Sequence, residues 1–483
     1  MMSDRDKQLR EAAYQEVETH KSLVESDRFR LGYHLMPPVG LLNDPNGFIQ
    51  YKGVYHLFYQ WNPFKTEHGA KFWGHYTSRD LVNWEHHEIA LAPSDWFDKN
   101  GCYSGSAIEH NGNMYLFYTG NVKDEHNNRE SYQVLVESED GFTFDKKGVV
   151  VELPEGYTAH FRDPKVWKRD DYFYMVVGAQ SEDLTGKAAL LRSSDLYKWE
   201  HLGAIAGAHV GSLEDFGYMW ECPDLFELDG EEVLILSPQG LEPEGMLYQN
   251  IYQAGYFIGK MDYENARFDH GEFVEMDRGF EFYAPQTTED DQGRRLLFGW
   301  LGLPEEREED HPTIEYKWIH AMTLPRELRV KDGKLYQLPV EELKKLRHAE
   351  VIYQNVVLNE EEQAFAGIDG ERLEYELTFN ENPSGEVTIQ MRNHATITYS
   401  PEKERLTLSR ISFVDGKTIE ERHCEISELK NLRVFLDSSS IEIFVNDGAE
   451  VFTARIYPAE NEKNITFKTG QPTSVQLQAW MLY

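Results

Sequence analysis

The chain has 483 residues, of which 40% are hydrophobic and 13% aromatic, a composition that builds packed cores and excludes an intrinsically disordered chain. Against 48 Lys and Arg stand 84 Asp and Glu, a net charge of −36, so the long-range field repels phosphate backbones and anionic lipid and argues against nucleic acid or a membrane as partner. Three cysteines, Cys102, Cys222 and Cys424, are too few and too widely spaced for a disulfide framework or a zinc ribbon and fit a reducing compartment.

Residues 1–30 are dense in charge, with Leu9, Ala12, Ala13, Tyr14 and Val17 as a narrow apolar stripe, and predict a polar N-terminal helical arm. They contain no apolar signal core, and no later run approaches ~18 apolar residues, so the chain is expected in the cytoplasm.

From residue 31 the pattern turns to β and repeats. A strand-like aromatic and aliphatic run recurs five times, at 54–59 (VYHLFY), 114–118 (MYLFY), 173–177 (FYMVV), 233–236 (VLIL) and 296–298 (LLF). With Phe58, Phe117, Val176, Leu236 and Phe298 as centres, the spacings are 59, 59, 60 and 62 residues. The first three copies are followed by Ser78-x-Asp80 then Trp84, Ser138-x-Asp140 then Phe144, and Ser193-x-Asp195 then Trp199, which reads as a strand, an Asp-led turn and the next strand. A unit of about sixty residues holding three or four short strands is a propeller blade, because radial stacking buries sheet faces that one blade alone would leave wet. The expectation is an all-β chain with a five-bladed propeller over 31–339. A linker helix follows over 340–350 (VEELKKLRHAE), rich in helix formers, and then a C-terminal antiparallel β-sandwich over 351–483.

The repeat also locates chemistry. About fourteen residues before each centre stand Asp44, Ser104, Asp163, Glu221 and Ala284, and a proline follows closely in four copies, at Pro45, Pro164, Pro223 and Pro285. Proline suits an innermost strand whose free edge lines the axial channel. Asp44, Asp163 and Glu221 are therefore expected to converge. Carboxylates crowded in an apolar pocket repel, and one is pushed to hold its proton near neutral pH, the division of labour that glycoside hydrolysis requires. Tyr59, Trp61, Phe72, Trp73, Trp220 and Trp300 are the expected faces for sugar rings, with Asn43, Gln60 and Arg162 as hydroxyl partners. No histidine spacing of a metalloenzyme occurs and no cofactor is expected; Cys222 reads as a buried structural thiol.

At these residues the chain resembles glycoside hydrolase family thirty-two, the invertase and fructosidase family. Residues 34–47 (HLMPPVGLLNDPNG) resemble its Asn-Asp-Pro-Asn-Gly block, 161–164 (FRDP) its Arg-Asp-Pro block, and 220–224 (WECPD) its Glu-Cys block. The resemblance implies Asp44 as nucleophile, Asp163 as transition-state stabiliser and Glu221 as acid/base. It implies sugar contacts at Leu42, Asn43, Gln60, Trp73, Tyr103, Ser104, Arg162 and Trp300. Leu41-Leu42 replaces the usual Trp-Met, and Glu281 stands where Asp is usual before 282–285 (FYAP). The implied activity is retaining hydrolysis of sucrose or sucrose 6-phosphate, the substrate being a small sugar. The alternatives are a fructosyltransferase on the same scaffold and a carbohydrate-binding propeller without catalysis. For a phosphorylated substrate, Lys65, His68 and Lys71, between Gln60 and Trp73, are the candidate cations. The oligomeric state is left open, a homodimer being one option.

Overall fold

The computed structural model describes residues 3–483, and its seven sheets resolve into five blades and a sandwich. Each repeat centre lies in the second strand of a blade: Val54–Asn62, Asn113–Lys123, Tyr172–Ser181, Glu231–Gln239 and Arg295–Leu301. The strand N-terminal to each is the innermost one: Gly40–Tyr51, Cys102–His110, Tyr157–Arg169, Met219–Leu228 and Tyr283–Glu289. The Ser-x-Asp signatures are Asx turns closing the third strands. Asp80, Asp140 and Asp195 each accept two backbone N–H bonds through Oδ1, and strands restart at Trp84, Asp145 and Glu200.

Between consecutive blades lie separate apolar clusters, such as Phe58, Trp73, Leu116 and Tyr118 between the first and second, and Val176, Leu190, Trp220 and Leu234 between the third and fourth. The ring closes without borrowing a strand from the far terminus. Trp318–Ile319, from the fifth repeat, pairs in parallel with Gly40 and Leu41 of the first innermost strand. The N-terminal helix Asp4–Glu25 is capped by Ser3 and is docked on the first blade: Arg10 donates to the carbonyl of Ala90, the Tyr14 hydroxyl accepts from the Ile89 N–H, and Ala13 and Val24 are buried. Of the expected stripe, Ala12 faces solvent.

The expected helix over 340–350 does not form. A 3-10 turn covers Glu341–Leu346, and from Arg347 the chain is a strand, Arg347–Leu358, paired with Thr473–Leu482. Arg347 explains the switch: it grips Glu374 at 2.7 and 2.5 Å and lies over the Trp480 ring, so sheet contacts override helix propensity. The sandwich stacks a six-stranded sheet on a five-stranded one, both antiparallel, around Leu377, Ile397, Val434, Ile443 and Phe467.

Propeller and sandwich meet along a polar seam. His34 is held between Asp437 at 2.8 Å and Glu442 at 3.0 Å, and Arg326 reaches Glu442 at 2.7 Å and Asp277 at 3.3 Å. Glu281 also belongs here, since its Oε2 accepts from Arg410 and from the Arg455 N–H, both at 2.7 Å. No helix among the described residues is long and apolar enough to cross a membrane.

Candidate active site

Every innermost strand breaks register at the same level. The bulges fall between Leu42 and Pro45, Cys102 and Gly105, Arg162 and Lys165, Glu221 and Asp224, and Tyr283 and Gln286. A bulge inserts an extra residue and re-aims the side chains around it, which is how a strand edge turns a carboxylate toward the axis. Three bulges carry non-glycine residues in left-handed backbone, Asp163 (φ 68°), Cys222 (φ 46°) and Ala284 (φ 47°). Such strain persists only where surrounding structure holds it. Pro164, Pro223 and Pro285 fall inside these breaks and Pro45 at the edge of one, where a missing N–H is tolerated.

The bulges bring Asp44, Asp163 and Glu221 together, as expected. Asp44 Oδ1 accepts from Asn43 Nδ2 at 3.1 Å, and Oδ2 accepts from the Ser104 hydroxyl of the next blade. The Cys222 thiol lies 3.6 Å from the same Oδ2, and the Cys222 N–H donates to Asp163 Oδ2 at 3.0 Å. Cys222 is therefore part of the site wall, not a remote core thiol. The Asp163 N–H is held by Thr119 Oγ1 at 3.0 Å. Glu221 is the most heavily bonded of the three: Arg162 donates to Oε1 from Nε at 3.0 Å and Nη2 at 2.5 Å, while Gln239 at 3.0 Å and the Tyr283 hydroxyl at 2.6 Å donate to Oε2.

Electrostatics follow from this crowding. Burial pushes the Asp44 carboxyl above the ordinary range; the Ser104 hydrogen bond opposes the rise and the Glu221 charge adds to it. Burial and Glu221 push Asp163 up to about 7, with Arg162 pulling the other way. Crowding and burial thus raise both Asp44 and Asp163. Arg162 also lies 2.8 Å from His160 Nδ1, and burial together with Arg162 and Arg129 holds that imidazole down to about 4.

The expected sugar contacts divide. Tyr103 and Arg162 keep partial exposure, whereas Asn43 and Ser104 are buried against Asp44. Gln60 spends its amide on the Cys102 carbonyl at 2.8 Å and Trp73 its indole N–H on the Tyr103 carbonyl at 3.0 Å, so both brace the second innermost strand. Trp300 is buried with its indole N–H unpaired, and Leu42 is wholly inside the core at 0% exposure. Tyr59, Trp61, Phe72 and Trp220, expected as sugar-facing rings, are instead packed between blades, because these strand positions point into the blade faces rather than along the axis. Of the three candidate cations, Lys65 is exposed and 3.9 Å from Glu67, His68 is engaged by Glu308, and Lys71 is buried against Asn43.

Sequence reasoning missed Tyr283, Gln239, Thr119 and His160. Tyr283 directly precedes Ala284, within one residue of the axial position in its repeat, so the period could have found it. Gln239 and Thr119 lie on second strands, where nothing in the spacing distinguishes them.

Residues 34–339 match the model described as "Glycosyl hydrolases family 32 N-terminal domain", and residues 342–481 match the corresponding C-terminal model. A sucrose-6-phosphate hydrolase of Bacillus subtilis (strain 168) is 53% identical over 481 residues, covering all of both chains, and one of Klebsiella pneumoniae is 46% identical over 88% of each. Among solved structures, a sucrose-6-phosphate hydrolase from Lactobacillus gasseri superposes with a TM-score of 0.89 at 32% identity, covering 97% of this chain and 96% of that one. A Bombyx mori GH32 β-fructofuranosidase, solved as a mutant in complex with sucrose, gives 0.84 at 34% identity over 98% of each. Five blades carrying three axial acids, both family models in their proper order, and a relative matched along its full length lead to one assignment: the chain belongs to glycosyl hydrolase family 32 and is a glycoside hydrolase.

Proposed function

We propose that this chain is a retaining β-fructofuranosidase acting on sucrose and sucrose 6-phosphate, with Asp44 as nucleophile and Glu221 as acid/base. The observation that carries the reading is the convergence of Asp44 and Glu221 from different blades, each held by neighbouring side chains, with Glu221 and Arg162 partly exposed. Asp44 attacks the anomeric carbon of the fructosyl unit, forming a carbon–oxygen bond as the glycosidic bond breaks. Protonated Glu221 gives its proton to the departing glucosyl oxygen. Water then attacks the fructosyl-enzyme, Glu221 takes up the water's proton, and Asp44 leaves. Asp163, fixed by the Cys222 and Thr119 contacts, accepts hydrogen bonds from fructosyl hydroxyls that tighten as positive charge develops on the ring. Arg162 occupies Glu221 in the resting site, so substrate hydroxyls that draw on its donors free Glu221 for proton transfer.

That the relatives are named sucrose-6-phosphate hydrolases supports the phosphorylated substrate, and the exposed edge bearing Lys65 is the phosphate-facing side in this reading, Lys71 and His68 being engaged inward. The three free cysteines suit the cytoplasm. The test is product release: fructose with glucose from sucrose, and fructose with glucose 6-phosphate from sucrose 6-phosphate, with kcat/KM compared for the two. Release of neither product pair overturns the reading; accumulation of fructosyl-sugars in place of free fructose at high sucrose would make it a transferase.

A further inference from the structure

Lys71 is 3% exposed, an unusual place for an unpaired ammonium. Its Nζ donates to Asn43 Oδ1 at 2.8 Å, and Asn43 donates from Nδ2 to Asp44 Oδ1 at 3.1 Å. An amide has one accepting and one donating end, so a cation on its oxygen turns its NH2 toward the carboxylate. On the other side Nζ lies 3.0 Å from His68 Nδ1. His68 Nε2 is 3.0 Å from Glu308 Oε1, which His320 Nε2 also meets at 2.8 Å. An ammonium offers only donors, so beside it His68 accepts at Nδ1 and donates from Nε2 to Glu308. Glu308 belongs to the turn Glu308–Asp310 of the fifth repeat, and His320 to the same repeat. The row Glu308, His68, Lys71, Asn43, Asp44 therefore spans the joint between the last and first blades.

We propose that Lys71 is a positioning residue for the nucleophile: it locks the Asn43 amide in the orientation that donates to Asp44 and supplies the positive charge that favours the ionised carboxylate, with His68 and Glu308 fixing it from the outer side. This rests on the fructosidase reading and adds to it. It also separates Lys71 from substrate phosphate, since the ammonium is already committed inward. The groups facing Lys71 are Asn43 and Asp44 on the first innermost strand, His68 on its own segment and Glu308 on the fifth blade; those facing Asp44 are Asn43, Ser104, Asp163, Glu221 and Cys222. Burial pushes the Lys71 ammonium down to about 7, against the pull of Asp44 and Glu308.

The test uses the full chain with sucrose and sucrose 6-phosphate, and wild-type fructose release, measured first, checks the underlying reading on its own. Lys71→Met should lose roughly 10- to 100-fold in kcat/KM on both substrates, the scale of a misplaced reacting group. The acid limb of its pH profile should move up by about one unit, because Asp44 loses a nearby cation. Lys71→Gln, which keeps a donor for Asn43 without the charge, should recover part of kcat while leaving the acid limb displaced. A melting curve identifies any variant that fails to fold, and Lys71→Gln then carries the measurement. A loss confined to sucrose 6-phosphate, an unmoved pH profile, or activity on sucrose within about twofold of wild type in a folded variant would each overturn the proposal.

Discussion

The axial pocket and the seam between propeller and sandwich both bury ionisable side chains, but they balance them differently. At the seam each acid meets a cation or its equivalent: Asp437 and Glu442 share His34, Glu442 and Asp277 share Arg326, and Glu281 meets Arg410. Burial alone would raise Asp437 and Glu442, yet His34 and Arg326 hold both below the ordinary range. At the axis Asp44 and Asp163 have neutral partners, Asn43, Ser104 and the Cys222 N–H, and burial lifts both. At Asp437 and Glu442 that desolvation is more than offset, whereas at Asp277, despite Arg326, and at the axis it is not. Compensated charge fixes how two bodies sit together, whereas carboxylates that nearby cations, here Lys71 and Arg162, offset only in part are raised in energy until a substrate supplies what they lack.

The largest contrast comes from Asp44→Asn. Turnover should fall by roughly four orders of magnitude or more, measured as fructose release, while the melting temperature stays level or rises, because an amide removes a buried repulsion. A fall in stability would mean that Asp44 is paid for by the fold in the way the seam acids are. Glu221→Gln should cost about 10²- to 10⁴-fold on sucrose and far less on a fructoside with a good leaving group, read from kcat on the two substrates. Equal losses would take the acid role away from Glu221.

At the seam the expected signs reverse. Arg326→Met strands Glu442 and Asp277 and should destabilise by about 3 to 5 kcal/mol in denaturant unfolding, with kcat of the folded fraction near wild type. The smallest effect is the pH dependence carried by His34. Burial would lower this imidazole, but Asp437 and Glu442 raise it to about 9. A histidine whose folded value is raised contributes fully below about 6.5 and loses its contribution as pH climbs through about 9, a span worth about 3 kcal/mol. Unfolding followed from pH 6 to 10 should show that loss in wild type and a flatter curve in His34→Gln. An unchanged slope in the variant would remove His34 from the balance.

Much of this architecture is legible before any coordinates, and the reason is that a blade is a local object. Its strands are neighbours in sequence, so the period of about sixty residues, the Asx turns at Asp80, Asp140 and Asp195, and the alignment of Asp44, Asp163 and Glu221 all survive in the linear order. What the linear order could not carry is contact across the ring and across the seam. Lys71 reads as a rim cation until the fifth blade closes on the first and places Glu308 beside His68. Glu281 reads only as a departure from the family pattern, without a role, until Arg410 and Arg455 arrive from the sandwich. Residues 340–350 read as a helix because propensity is local, and Arg347 becomes a strand residue because Glu374 and Trp480 are not. Sequence determined the repeat and the acids that the repeat brings to the axis. Which charges are neutralised was decided by tertiary structure, since the partner of a buried charge lies on whichever element packs against it.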